Sequence, residues 1–332
     1  MTLALFCGLS ILAIGCTTPS ATDGTTGSTT TTDSDAQKDK LTIAMVPKGT
    51  AHEFWKTVHA GADDAAKELG VNLIWKGPLN ENDREQQIKV IEDFVTQKVS
   101  GICVAPLDDK ALRNPVDEAL KEKIPVLVFD SGLADFTGTV SFVATDNKKG
   151  GMIAAEAMAK SLGKGGKVIV LRYIEGSAST NQREEGFLEA AKAAGLEIVS
   201  DNQYAGATVD TAMSASENLM NRFRDSVQGI FCPNESSTAG MLKVLQDLKL
   251  AGKVAFYGFD ASEKLVAALG AGEINGLVVQ NPYKMGKLSV ESMVKAIKGE
   301  KVESRLDTGA TLVNKENMSQ PDIDKVLHPP KI

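Results

Sequence analysis

Histidine and cysteine are scarce in this chain of 332 residues, which contains three His and four Cys. Cys103 and Cys232 lie inside apolar runs, so we expect two small buried core residues rather than a disulfide bridge. His52 and His59 are seven positions apart, roughly 10 Å along a helix axis, which is too far for one metal ion. No acidic cluster completes such a site, and we expect neither a metal nor a cofactor.

The motifs of several enzyme classes are also missing. No G-x-x-x-x-G-K-[ST] phosphate loop is present, which excludes nucleotide hydrolysis by that route. G-x-S-x-G is absent and His328 lies in a polar tail, so a Ser-His hydrolase has no support. A glycosidase pair formed by Asp130 and Asp260 is the remaining catalytic alternative, and it would need a separation of ~5.5 or ~6.5–9.5 Å. We therefore predict a protein that is not an enzyme.

Positive charge is in deficit, with 36 Lys plus Arg against 43 Asp plus Glu and a formal net charge of −7. Nucleic-acid binding needs a basic face, and the spacing of Lys and Arg shows none, so we expect no nucleic-acid partner. After the first residues, no apolar run reaches the ~18 residues of a membrane span. A chain of this length usually folds as two compact lobes.

The first residues are typical of an export signal. The apolar stretch at 3–15, LALFCGLSILAIG, has the length of a secretory h-region and ends in small residues before Cys16. This arrangement resembles a bacterial lipobox, in which the signal is cleaved and the Cys receives a lipid. Ala13 departs from the Leu preferred there, and no Lys or Arg precedes the apolar stretch; a start codon upstream of Met1 would explain the second departure.

Residues 17–40 are rich in Thr and Ser and contain no large apolar side chain. Such a segment cannot bury enough surface to offset its ordering entropy. We therefore predict a lipoprotein signal peptide at 1–16 and a disordered tether at 17–40. With Cys16 as the lipid attachment site, the protein would lie in the periplasm or on the cell exterior, held to the membrane only by its lipid.

From Leu41 onward, short apolar runs alternate with helical patterns. The runs are continuously apolar, as expected for strands that helices cover on both faces. The alternation predicts two α/β units in series, each with a mostly parallel sheet. The first predicted helix, 53–69, carries an apolar stripe at helical spacing, formed by Phe54, Val58, Ala62, Ala65 and Leu69.

Two of the predicted strands end in the same dipeptide, Phe129-Asp130 and Phe259-Asp260. In open α/β sheets, ligands bind beyond the carboxyl ends of the strands. Both Asp residues are therefore predicted to face a ligand crevice, although either one alone could simply cap the next turn or helix.

Seven segments occur in a fixed order along the chain: IAMVPKGTAHEFWKTVHAGADDAAKELG, IPVLVFD, VATDNKKGG, STNQREEGF, FCPNESSTAG, FYGFDA and VVQNPYKMG. Together they resemble the periplasmic ribose-binding type of sugar-binding protein, which is related to the ligand domain of lactose-repressor-type regulators. The resemblance covers nearly all of 41–320. It implies a type I periplasmic binding protein fold with two Rossmann-like lobes and three hinge crossovers. The implied lobes are 41–144 plus 281–308, and 145–280 plus 309–326.

The resemblance also implies the ligand-binding residues. They are an aromatic pair opening the first helix, the acid ending the fourth strand, an Arg before a Gly-Phe pair, and polar residues at three strand ends of the second lobe: Phe54, Trp55, Asp130, Arg183, Asn234, Asp260 and Gln280. Carboxylates accept from sugar hydroxyls, Arg and amide groups donate, and aromatic rings cover the CH face. Two Asp against one Arg favour a neutral polyol over a phosphate.

Three positions leave the identity of the sugar open. His52 stands where ribose binders carry Asn, and Ser131 stands where they carry a second Arg. Lys48 resembles the Pro-Lys opening of autoinducer-binding and rhamnose-binding relatives. We include His52 and Lys48 as candidate ligand residues, while a solvated Lys is the alternative for Lys48.

The other candidate residues have structural alternatives. Phe54 could belong to the core, and Arg183 could pair with Glu184 or Glu185 on a helix surface. The polar residues Asn234 and Gln280 could be ordinary loop residues at strand ends.

We therefore expect an extracytoplasmic substrate-binding protein that captures a monosaccharide between two lobes. It would act as a monomer and deliver the sugar to an ABC importer, made of a permease and a separate ATPase. The first alternative is a receptor for a sugar or autoinducer that signals to a chemotaxis or kinase partner. A lactose-repressor-type regulator would need a helix-turn-helix module ahead of residue 41, where the Thr-rich tether stands. A sugar-modifying enzyme is the third alternative.

Overall fold

Twelve strands form two six-stranded sheets in the part of the chain that this computed structural model describes, residues 40–330. The strands of the first sheet are β1 (Thr42–Val46), β2 (Asn72–Trp75), β3 (Gly101–Val104), β4 (Val126–Phe129), β5 (Phe142–Ala144) and β11 (Arg305–Asp307). Those of the second are β6 (Lys167–Arg172), β7 (Glu197–Tyr204), β8 (Gly229–Phe231), β9 (Ala255–Phe259), β10 (Gly276–Gln280) and β12 (Ala310–Val313). The predicted signal peptide, with Cys16, and the predicted tether as far as residue 39 lie outside the described residues.

Helices cover both faces of each sheet. They are α1 (Glu53–Leu69), α2 (Arg84–Gln97), α3 (Arg113–Lys121), α4 (Asn147–Leu162), α5 (Ala178–Ala193), α6 (Val209–Phe223), α7 (Glu235–Asp247), α8 (Glu263–Ala271), α9 (Pro282–Ile297) and α10 (Pro321–Leu327). The first sheet packs against α1, α2, α3 and α9, and the second against α4–α7 and α10, while α8 packs against α7. We call these two assemblies the first and the second lobe. None of the helices within 40–330 has the length and apolarity to cross a bilayer.

The strand order is β11-β5-β4-β3-β1-β2 in the first sheet and β12-β10-β9-β8-β6-β7 in the second. All neighbours are parallel except β12, which runs antiparallel to β10. The central strands β3 and β4 are buried along their whole length, as their continuous apolar runs predict. This arrangement confirms the predicted fold class. Cys103 and Cys232 are buried free thiols, which confirms the prediction of core cysteines.

Three elements near the C-terminus were not predicted from the sequence: β11, β12 and α10. Both strands lie at sheet edges and have only three and four residues, with part of each exposed. Because an edge strand needs no continuous apolar run, neither strand stands out in the sequence. The short helix α10 lies in a largely polar tail.

The buried face of α1 differs in part from the predicted stripe. Val58, Ala62 and Ala65 are buried, but Leu69 is 39% exposed because it lies in the last turn, before the left-handed residue that ends the helix. Phe54 is only half-buried, whereas its neighbour Trp55 is buried.

The chain passes between the lobes three times, after β5, after β10 and after β11. Buried polar side chains at these crossovers hydrogen-bond to one another. The hydroxyl of Thr145 donates to Gln280 Oε1 at 2.9 Å and lies 3.2 Å from the hydroxyl of Thr308. The three crossovers are therefore joined side by side at one buried node.

Glycines set the spacing of the first lobe's closest helix pair, α1 and α9. A Cβ added at Gly61 would lie 2.0 Å from the Tyr283 carbonyl oxygen, and one at Gly286 would lie 1.9 Å from the Val58 carbonyl oxygen. Neither position has room for a side chain, because a backbone atom cannot move aside as a flexible side chain can.

The second lobe repeats this contact between α4 and α5. A Cβ at Gly151 would lie 1.9 Å from the Arg183 carbonyl oxygen, and one at Gly186 would lie 2.0 Å from the Lys148 carbonyl oxygen. The contact holds the backbone of α5 close to α4 and so fixes the position of Arg183.

We expect Gly286→Ala to lower the free energy of unfolding by roughly 1–3 kcal/mol, because the new methyl group would push α9 away from α1. Urea denaturation followed by circular dichroism measures the change. The matched control is Gly270→Ala in α8, where the nearest atom to the added Cβ is Met318 Cε at 3.7 Å. We expect this control to be neutral or stabilising, and equal midpoints for the two variants would contradict the packing argument.

Candidate functional site

A cavity of about 310 Å³ lies between the two lobes, at the carboxyl ends of the parallel strands. This volume counts all the space between the atoms there, including space that is open to solvent. All nine ligand residues predicted from the sequence line the cavity: Lys48, His52, Phe54, Trp55, Asp130, Arg183, Asn234, Asp260 and Gln280. The structure thus brings these side chains together, while their contact with a ligand stays a prediction.

Asp130 and Asp260 occupy equivalent positions, each directly after a central strand of its own sheet. Both have left-handed backbones, with φ of 59° and 69°. Asp is one of the few residue types that adopt this conformation without a severe clash. Each left-handed turn ends its strand abruptly and leaves the carboxylate at the cavity.

The two carboxylates have different partners. Asp130 Oδ2 forms an ion pair with Lys48 Nζ at 3.1 Å. Asp260 accepts hydrogen bonds from the backbone N–H of Glu235 at 3.0 Å and from Gln280 Nε2 at 2.7 Å. Burial raises the pKa of Asp260, and the charge of Arg183 opposes that rise. Asp260 therefore contacts the start of α7, whereas Asp130 caps no helix.

Lys48 is only 2% exposed, so the alternative of a solvated Lys is wrong. Besides its ion pair with Asp130, its ammonium donates to Ser177 Oγ at 3.2 Å and to Ser179 Oγ at 2.8 Å. Both serines belong to the second lobe, whereas Lys48 follows β1 in the first. A buried ammonium needs such partners, and Lys48 thereby joins the two lobes at the centre of the cleft.

Arg183 is also buried, at 2% exposure, so the alternative of a surface pair with Glu184 or Glu185 is wrong. Its Nε donates to Asn147 Oδ1 at 2.8 Å and its Nη1 to the carbonyl oxygen of Pro233 at 2.9 Å. The guanidinium lies 4.1 Å from the ring centroid of Phe259, a cation–π contact. These contacts fix the plane of the guanidinium at the edge of the cavity.

The amide side chains of Asn234 and Gln280 are already engaged within the protein. Asn234 is the N-cap of α7 in a capping box with Ser237. Gln280 accepts from Thr145 and donates to Asp260, so it links the crossover node to the cavity. These bonds leave Asn234 and Gln280 with less capacity for a ligand than the charged residues have.

The aromatic pair divides between cavity and core. Trp55 is 2% exposed and packs in the core of the first lobe, and its ring also borders the cavity. Phe54 packs edge-to-face against it, with ring centroids 4.9 Å apart, and is half-buried. Phe54 is therefore the more accessible aromatic face, and the alternative that it is purely a core residue is wrong.

His52 immediately precedes α1 and forms a buried ion pair with Glu81, with Nδ1 2.8 Å from Glu81 Oε1. Burial disfavours the imidazolium, but the hydrogen bond and charge of Glu81, with Glu235 and Asp260 nearby, raise the pKa of His52 to about 9. Burial also acts against the Glu81 carboxylate, yet His52, Lys48 and the indole N–H of Trp55 lower its pKa to about 2. Both groups are charged at neutral pH.

Glu235, the first residue of α7, reaches across the cleft to the other lobe. Its carboxylate accepts from the backbone N–H groups of Glu53 at 3.2 Å and Phe54 at 3.0 Å, the first two residues of α1. A carboxylate at a helix N-terminus satisfies free N–H groups and complements the helix dipole. Burial raises the pKa of Glu235, and the charge of His52 opposes that rise.

A second set of interlobe bonds lies at the outer edge of the cleft. The N–H of Asp109 donates to the carbonyl oxygen of Gly176 at 3.0 Å, and Arg84 Nη2 donates to that of Glu175 at 3.3 Å. At the centre, the N–H of Ser179 donates to Ser131 Oγ at 3.1 Å. The lobes are thus joined at the centre of the cavity, at the outer edge of the cleft, and where Glu235 contacts the start of α1.

Five cavity residues were missed in the sequence: Glu81, Tyr173, Ser179, Thr180 and Glu235. Tyr173 directly follows β6 and Glu235 follows the N-cap of α7, so the strand-end rule that identified the two Asp residues would have found both. Glu81 lies in the loop between β2 and α2, and no sequence signal marks it. Among residues 40–330, no group of His, Cys, Asp and Glu side chains could hold a metal ion.

Comparison with known proteins identifies the family. The periplasmic binding protein domain family matches residues 43–301. The chain belongs to this family. The match confirms the resemblance that the seven ordered segments indicate.

Several curated relatives of this periplasmic binding protein are sugar-binding proteins by name. The ribose import binding protein of Haemophilus influenzae is 30% identical over 273 residues, which cover 82% of this chain and 91% of the relative. That of Salmonella typhimurium is 32% identical over 279 residues, covering 83% and 92%. The D-allose-binding periplasmic protein of Escherichia coli is 31% identical, covering 78% and 85%.

Solved structures agree with this periplasmic binding protein in fold. A carbohydrate transporter solute-binding protein from Agrobacterium radiobacter, in complex with D-arabinose, has a TM-score of 0.84 and 37% identity, covering 88% of this chain and 100% of that one. An ABC transporter solute-binding protein from Agrobacterium vitis, with bound D-fucose, also has a TM-score of 0.84, with 33% identity and coverage of 86% and 100%.

We expect Glu235→Ala to shift the ligand-free protein toward separated lobes, because the charged bridge to the start of α1 is lost. A charge-assisted hydrogen bond of this kind corresponds to roughly a tenfold change in the ratio of open to closed molecules. Small-angle X-ray scattering measures the change as a larger radius of gyration. Glu85→Ala, in the exposed first turn of α2, is the control, and identical scattering curves for both variants would disprove the bridge.

The ion pair of His52 gives stability a definite pH dependence. Because the folded-state pKa of about 9 exceeds the ordinary 6.5, the pair contributes fully below about pH 6.5 and is lost as pH rises through 9. Between pH 6.5 and 9.5 we expect the wild type to lose roughly 1–3 kcal/mol relative to His52→Gln. Urea titrations at several pH values measure this difference, and parallel pH profiles for the two proteins would contradict it.

Proposed function

We propose that this protein captures a monosaccharide between its two lobes and presents it to an ABC-type sugar importer. The observation that carries the proposal is the composition of the cavity. Carboxylates, a guanidinium and a half-buried aromatic ring converge there from both lobes. A neutral polyol offers hydroxyls that donate to carboxylates and accept from guanidinium groups, and CH faces that pack on aromatic rings.

The proposed ligand residues are the nine predicted from the sequence. Asp130 and Arg183 have the greatest remaining capacity: only Oδ2 of Asp130 is used by Lys48, and Nη2 of Arg183 takes part in neither of its two hydrogen bonds. Phe54 would cover one face of the ring. Sugar names among the relatives and solved structures support the ligand class, with ribose, allose, arabinose and fucose all represented.

Capture would work as a population shift. A ligand that contacts both lobes does so only when the lobes are together, so its binding energy favours the closed arrangement. The interlobe bonds of Lys48 and Glu235 would support that arrangement, and the three crossovers would act as the hinge. We propose 41–144 plus 281–308 and 145–280 plus 309–326 as the two moving bodies.

The remaining parts of the system would be separate chains. We propose a membrane permease and an ATPase as partners, because the chain has no phosphate-loop motif. Cys16 would carry the lipid that holds the monomeric protein to the membrane, with 17–40 as its tether, in the periplasm or on the cell exterior. The sugar would leave unchanged, and proton NMR of a bound sugar over time would reveal any catalysis as product signals.

Isothermal titration calorimetry with aldopentoses, aldohexoses, ketoses and polyols tests the proposal. We expect saturable binding of at least one monosaccharide, and Asp130→Asn should weaken it by ~10-fold or more, because a charged acceptor is lost. The control is Asp225→Asn, at a nearly fully exposed side chain outside the cavity, and its affinity should be unchanged. Absence of heat with every sugar would overturn the proposed function.

A further inference from the structure

The hydroxyl of Tyr173 is an unpaired polar group inside the cavity. Tyr173 is 1% exposed and lines the space between the lobes. Within residues 40–330, only two buried side-chain atoms, Tyr173 Oη and Ser200 Oγ, lack a hydrogen-bond partner. Ser200 lies in β7 and does not border the cavity. Buried hydroxyl groups nearly always have a partner, so an unpaired one at a ligand cavity indicates that the ligand completes it.

The backbone of Tyr173 is held rigidly. Its N–H donates to Glu184 Oε1 at 2.9 Å, and its carbonyl oxygen accepts from the N–H of Gly206 at 3.1 Å. Glu184 is in turn paired with Arg172 at 2.5 Å. These contacts hold the Tyr173 backbone on both sides. The phenol side chain therefore starts from a fixed backbone position at the end of β6.

A carboxylate from the other lobe lies beside this hydroxyl. Glu81 uses Oε1 for its two bonds, accepting from Trp55 Nε1 at 2.7 Å and pairing with His52. Burial raises the pKa of Tyr173, and so does the Glu81 carboxylate beside its hydroxyl, whereas Ser236, also close to the hydroxyl, opposes the rise. Neither neighbour meets hydrogen-bond geometry with Tyr173 Oη. The phenol keeps its proton and can donate. Glu81 is an ionised acceptor, since its own pKa is about 2. A donor and an acceptor thus meet at one corner of the cavity.

We propose that Tyr173 and Glu81 bind one hydroxyl group of the ligand, which accepts from the phenol and donates to the carboxylate. The inference rests on the proposed function, since it presumes a polyhydroxylated ligand. Because Tyr173 belongs to the second lobe and Glu81 to the first, this hydroxyl would join the lobes as well as identify the sugar. A site built around such a group rejects an analogue that lacks it, because the protein's own polar atoms are then left unpaired.

The test compares wild type with Tyr173→Phe, which removes only the hydroxyl. Calorimetry first finds the tightest binder among aldopentoses, aldohexoses and ketoses, and then measures its monodeoxy derivatives. We expect Tyr173→Phe to bind the parent sugar ~10-fold more weakly. One monodeoxy derivative should bind wild type and variant equally, since the contact is absent in both cases. Glu81→Gln should show its smallest loss with the same derivative.

Tyr257→Phe is the matched control. Its hydroxyl is hydrogen-bonded to Ser161 Oγ at 2.7 Å, and Tyr257 does not border the cavity between the lobes. We expect its sugar affinity to equal that of wild type. Melting temperatures of all variants, without sugar, identify any loss that comes from unfolding.

Two results would overturn the inference alone: unchanged affinity of Tyr173→Phe for the parent sugar, or an equal loss with every monodeoxy derivative. If Tyr173→Phe does not fold, Glu81→Gln decides, and an equal loss with every derivative counts against the inference. A wild type that binds none of the sugars overturns the proposed function and this inference with it.

Discussion

The burial of charge between the two sheets is the constraint on which the rest of the structure depends. Lys48, Asp130, Arg183 and Asp260 are each less than a tenth exposed, and a buried charge is costly unless it is paired. Among these four groups, Lys48 bonds across the cleft, to Ser177 and Ser179 of the second lobe. A charge at the centre of the cavity therefore also holds the lobes together.

The two lobes share two structural features. Each ends a central strand with a left-handed Asp, and each packs one pair of helices through glycines that touch the opposing backbone. The lobes differ in the groups that contact the two Asp carboxylates. Asp130 is paired with the ammonium of Lys48, whereas Asp260 accepts hydrogen bonds from an amide and a backbone N–H and is also influenced by the charge of Arg183. An asymmetric ligand suits such an asymmetric pair.

The polar residues that line the cleft are of two kinds. Asn234 and Gln280 have hydrogen-bonding groups occupied by a helix cap and by the crossover node, which leaves them less capacity for a ligand. Asp130, Arg183 and Tyr173 keep atoms that take part in no protein hydrogen bond. A residue is available to a ligand when it keeps a polar atom that forms no hydrogen bond within the protein. Its position at a strand end is not sufficient.

The sequence alone determined the alternation of strands and helices, the fold class and the two strand-end Asp residues, because these depend on local apolar patterns and on motif order. Only the tertiary structure decided which charges meet. Glu81 comes from a loop without periodicity, and the pairing of Glu235 with α1 joins segments some 180 residues apart. Lys48, a candidate ligand residue for which a solvated Lys was the alternative, is buried, and its ammonium has partners from both lobes. Such pairings depend on distances between lobes, which no local pattern encodes.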